Sequence, residues 1–64
     1  MVKNKRETQG HYEIDTGEGW EEISKHELSV LMFLWSRDPT DDRALLQEGA
    51  RIYTGSAEYR YVEE

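Results

Sequence analysis

The chain has no cysteine, which removes disulfides and thiolate metal sites from the ways a small domain can be held together and fits a reducing compartment. It has one proline, Pro39, and no apolar stretch near the roughly 18 residues needed to span a bilayer. The start of the sequence, with Lys3, Lys5 and Arg6, lacks the apolar segment of a secretion signal. These absences lead us to expect a soluble, cytoplasmic protein with no membrane contact. Catalytic signatures are missing as well. The two histidines, His11 and His26, are fifteen positions apart and match neither a helical i, i+4 pair nor a zinc spacing. Gly17 and Gly19 flank Glu18, and an acid at that place repels phosphate. The neighbouring carboxylates Glu21-Glu22 and Asp41-Asp42 diverge on a strand or open a helix, which is poor geometry for an acid and a base acting on one bond. No serine or lysine nucleophile has an identifiable base. The sequence therefore predicts no enzyme, no cofactor and no metal. A site built on His11, Glu13 and Asp15, which alternate along one strand face, is outweighed by the ordinary solvated face of an antiparallel sheet.

Acid is what the chain has in excess, with 14 Asp and Glu against 8 Lys and Arg in 64 residues, for a formal net charge of −6. Residues 1–11 run the other way, with Lys3, Lys5 and Arg6 against Glu7 for +2, which leaves −8 on the remainder. We read residues 1–10 as a flexible basic arm and residues 11–64 as one small domain. The field of that domain repels nucleic acid and attracts basic surfaces, so direct DNA or RNA binding is not expected.

Against this background the run Val30-Leu31-Met32-Phe33-Leu34-Trp35 stands out, because it is apolar all the way round a helix. Such a helix needs cover on every side, from the chain's own sheet, from a partner chain, or from both. A domain of this size buries only about 60% of its unfolded surface, and with disulfides excluded, association is the remaining staple. Ser24-Lys25-His26-Glu27 reads as a capping box that starts the helix at Lys25, with its end near Ser36 or Arg37. Leu28, Leu31, Met32 and Trp35 fall on one face, and Leu31 and Leu34 are expected in the core. Asp38-Pro39 reads as a second start, with Asp41 and Asp42 in the positive first turn, Ala44, Leu45 and Leu46 inward, and a stop at Gly49.

Two hairpins flank the helices. Tyr12-Glu13-Ile14-Asp15 alternates apolar with polar, and Trp20-Glu21-Glu22-Ile23 answers it across a Gly17-Glu18 turn of type II′. That register sets Tyr12 opposite Ile23 and Ile14 opposite Glu21. It puts His11, Glu13, Asp15, Trp20 and Glu22 on an outer acidic strip. Residues 50–54 and 57–62 form the second hairpin about Gly55-Ser56, with Ile52 facing Tyr59, Ala50 facing Tyr61, and Arg51 facing Arg60 beside Tyr53 and Glu58. Opposed arginines need a carboxylate nearby, which Glu13, Asp15 and Glu22 supply if the hairpins join. The expected fold is α+β, a small antiparallel sheet of three or four strands packed on one apolar helix, ββααββ or, without the second strand, βαββ.

Binding is the function class that remains. One reading is an inhibitor whose carboxylates occupy a basic nucleic-acid-binding groove of a protein partner, with Glu13, Asp15 and Glu22 giving charge and Trp20 and Tyr53 giving aromatic anchors. In size and charge the chain resembles the small proteins that phages and mobile elements direct against host defence or host nucleic-acid enzymes, anti-CRISPR proteins among them; the resemblance is one of general character and covers no motif. It implies action in the host cytoplasm. The other reading is an assembly module, a homodimer or a small subunit that buries the apolar helix, with acidity serving solubility.

Overall fold

The computed structural model describes residues 10–63. Of the expected basic arm, Gly10 belongs to the first strand, and the rest lies outside the described residues. The order is β1 (Gly10–Asp15), β2 (Trp20–Ile23), α1 (Lys25–Leu34), α2 (Pro39–Gln47), β3 (Ile52–Thr54) and β4 (Ala57–Glu63). The architecture is ββααββ. One antiparallel sheet runs β2-β1-β4-β3, so the first and last strands meet at its centre and join the two hairpins.

The first hairpin has the expected register, with Tyr12 opposite Ile23 and Asp15 opposite Trp20. Its turn differs from expectation. Residues 16–19 form an open loop tied by Asp15, whose Oδ1 accepts from the amides of Gly17 at 2.7 Å and Gly19 at 3.2 Å. A carboxylate at the strand end offers these donors a partner, and an Asx-type closure replaces the two-residue turn. The second hairpin is as read, with Thr54 opposite Ala57 and Ile52 opposite Tyr59. Gly55 has φ 61° and Ser56 is not in the positive-φ region, the signature of type II′. Its ladder is shorter than expected: Ala50 and Arg51 precede β3 and pair with neither Tyr61 nor Arg60 in it.

Ser24 caps α1 through both arms of the capping box. The helix closes in a Schellman arrangement, with the Ser36 amide on the Phe33 carbonyl and the Arg37 amide on that of Met32, both at 2.9 Å. Asp38 caps α2, which ends in the same way at Gly49 (φ 98°), with the amides of Gly49 and Ala50 on the carbonyls of Leu46 and Leu45.

The core is Tyr12, Ile52 and Tyr59 from the sheet, Leu28 and Met32 from α1, and Leu46 from α2. Both helices therefore cover one face of the sheet. Three expectations are corrected here. Leu34 is exposed and Leu31 only partly buried, because the α1 residues nearest the sheet are Leu28 and Met32, one turn apart. Ala44 and Leu45 point away from the core, because the inward stripe of α2 runs through Asp42 and Leu46. Asp42 is more than a first-turn acid: buried to 3% exposure, it accepts from Arg37 Nε at 2.8 Å and Nη2 at 3.1 Å. That carboxylate holds the Arg37 guanidinium above its ordinary pKa through these hydrogen bonds. Buried hydroxyls are also partnered, Thr54 with Tyr59 at 2.8 Å and Tyr12 with the Gln47 amide at 2.6 Å.

Candidate functional site

Two surfaces on opposite sides of this two-layer domain carry the residues of interest. The first is the sheet face turned away from the helices. Strand alternation and register bring Glu13, Asp15, Trp20, Glu22 and Tyr53 to it together, as the sequence predicts. Their bonding, however, is mostly internal. Glu13 stands opposite Arg60, whose Nε and Nη2 lie 2.8 and 2.7 Å from Glu13 Oε1, while His11 Nε2 lies 2.7 Å from Glu13 Oε2. These hydrogen bonds, from His11 first and Arg60 second, hold the Glu13 carboxyl below the usual carboxylate range.

The Arg60 guanidinium also lies 4.0 Å from the centroid of the Trp20 ring, and that of Arg51 lies 5.4 Å away, so the indole serves two cations. Arg51 in turn donates to Glu58 at 2.6 Å, and Tyr53 donates its hydroxyl to the same carboxylate at 3.3 Å. Of the carboxylates expected beside the two arginines, Glu13 is found on Arg60, whereas Arg51 is paired by Glu58 and not by Asp15 or Glu22. Asp15 is spent on its loop, and Tyr53 keeps an exposed ring. Glu22 is exposed, as are Glu18 and Glu21, and none of the three has an ion pair among the described residues. The strip is therefore a cross-braced network of paired charges, bordered by free acids at the β2 edge.

The second surface is the side of α1 opposite the sheet. Helical spacing puts Val30, Phe33 and Leu34 there, while Trp35, three residues past Met32, follows the sheet-facing side at the helix end. Phe33 is 74% exposed, Leu34 71%, Trp35 53% and Val30 44%. Ser29 to Ser36 holds no ionisable residue, in a chain of which 34% is charged. The Trp35 ring leans on the second hairpin turn, close enough that a Cβ on Gly55 would come within 3.0 Å of it. Apolar, aromatic and uncharged surface of this kind is the composition of an interface centre. The sequence showed that the run was too apolar for one covered face; only the packing shows which residues are left out.

A cleft of about 490 Å³ opens between the first hairpin, the start of α1 and α2, bordered by Tyr12, Lys25, Arg43 and Gln47. Gln47 is committed to Tyr12, and Arg43 donates to Ser29 at 3.0 Å. Among the described residues no group of three His, Asp or Glu is placed to hold a metal ion, and no helix is long and apolar enough to cross a membrane. Comparison with protein-family models, curated proteins and solved structures finds no match.

Proposed function

We propose that the protein is a protein-binding module that works by surface contact, with the outward side of α1 as its docking face. The observation that carries this reading is the exposure of Phe33 and Leu34 in the middle of an uncharged, aromatic stretch. Leaving most of an aromatic side chain of about 150–250 Å² and most of a leucine in water forfeits apolar burial that a partner would recover. The test is recovery of partners from the native or host cell with tagged protein, beside Phe33→Glu and Leu34→Glu variants. Loss of a partner from both variants, with unchanged circular dichroism, is the expected result. Equal recovery by all three proteins overturns the assignment of this face.

A second reading rests on the free carboxylates Glu18, Glu21 and Glu22 at the β2 edge and the net charge of −6. On it the protein is a cytoplasmic inhibitor, of the kind phages and mobile elements encode, that competes with nucleic acid for a basic groove. This reading has less to work with, since Glu13, Asp15 and Glu58 are already bonded within the chain. Its signature is mutual exclusion of nucleic acid and this protein from one partner. Simultaneous binding of both at full affinity excludes mimicry at that groove.

A further inference from the structure

Resting on the reading of α1 as the docking face, we infer that its occupant is a second copy of this chain, packed as an antiparallel α1–α1 pair about a two-fold axis at the level of Met32. Three observations lead there. The first is charge. Each copy carries −6, yet none of that charge falls between Ser29 and Ser36, so two copies meet on this face without opposing like charges. At its ends α1 has Glu27 in the first turn and Arg37 just past the last. An antiparallel pairing with Val30 opposite the partner's Leu34 sets Glu27 opposite the partner's Arg37. Both side chains keep a group for that contact: Glu27 uses only Oε1 on its cap, and Arg37 uses only Nε and Nη2 on Asp42. Opposed helix dipoles favour the same orientation.

The second is area. From the exposures of Val30, Phe33 and Leu34 and an aromatic side chain of about 150–250 Å², the uncovered apolar surface on this side is roughly 350 Å² per copy. Two such faces with their polar ends reach about 1,000 Å², the lower bound of a specific interface. An interface at that bound is expected to be weak and reversible. The third is need. Six buried apolar side chains among the described residues of a cysteine-free chain make a small core, and association is the staple left to a domain of this size.

The full chain is to be examined by sedimentation equilibrium from about 5 to 500 µM, where a reversible monomer–dimer transition is expected. Phe33→Glu should raise the dimer Kd by roughly 30-fold or more, as loss of a central aromatic anchor does, with the monomer still folded. Since the chain has no cysteine, single replacements report orientation. Val30→Cys and Leu34→Cys proteins mixed under mild oxidation should form the mixed disulfide in preference to either self-disulfide. Dominant self-linking of Val30→Cys would mean a parallel pair and overturn the proposed geometry. A chain that stays monomeric across the range overturns the second copy as occupant. In that case a different partner lost on Phe33→Glu leaves the docking face standing, and no such partner removes both.

Discussion

Ser36 is the one residue other than glycine at positive φ among those described, at 59°. Its left-handed conformation is what lets α1 close on the carbonyls of Phe33 and Met32, but a Cβ there costs about 1–2 kcal/mol of steric strain. Ser36→Gly should raise stability by about 0.5–1 kcal/mol, the relief being partly offset by the greater freedom of glycine in the unfolded chain, and a shift of the urea midpoint at constant slope would show it. Asp42 makes the opposite case. It is buried while its partner Arg37 is 40% exposed, so removing the carboxylate leaves a guanidinium that water can reach. Asp42→Ala is accordingly expected to cost about 1–3 kcal/mol, the range for a lost charged hydrogen bond, below the loss for a fully buried pair. A cost under about 0.5 kcal/mol would mean that the bidentate geometry does little for stability.

At the scale of elements, α1 has two apolar sides with different duties. Leu28 and Met32 have no exposed surface, whereas Leu34 is mostly in water. Leu28→Ala and Met32→Ala should each destabilise by about 2–5 kcal/mol, while Leu34→Ala in the dilute monomer should stay within about 0.5 kcal/mol. Equal losses at Leu28 and Leu34 would put the sheet on the wrong side of the helix. Ser24→Ala tests the start of the same element. Both arms of its capping box are present, so the change should cost about 0.5–2 kcal/mol, measured by thermal or denaturant unfolding.

For the molecule as a whole, the β1–β4 junction unites the two hairpins, and Glu13–Arg60 is its cross-strand ion pair. The Glu13 carboxyl titrates below its ordinary value of 4.5 in the folded state. A depressed folded pKa gives stability that is fully present above the unfolded pKa and is lost as pH falls through the folded one. Stability should therefore decline as the pH drops below about 4.5, and Glu13→Gln should make that acid limb shallower. Parallel acid limbs for the parent and the variant would show that Glu13 does not contribute to it.

The sequence by itself determined what depends on near neighbours. Ser24 with Glu27, Asp38 with Pro39, Gly49, and the Gly55-Ser56 turn act over two to four residues, and each ended or turned the chain where expected. Strand register followed for the same reason, since a slip of one residue would expose Tyr12 and Ile14. The loop after Asp15 was missed because an Asp side chain bonding two amides competes with a regular turn, and composition does not rank the two.

Tertiary structure alone decided the rest. Periodicity could not choose among the six apolar residues of α1, because a helix apolar nearly all round has no distinct apolar stripe to orient it; contact with Tyr12, Ile52 and Tyr59 chose Leu28 and Met32. The same contact left Phe33 and Leu34 in water, turning part of a predicted core into exposed apolar surface. Packing also converted the outer acidic strip into a paired network, since Glu13 meets Arg60 only where the first and last strands of the sheet come together, 47 residues apart in sequence.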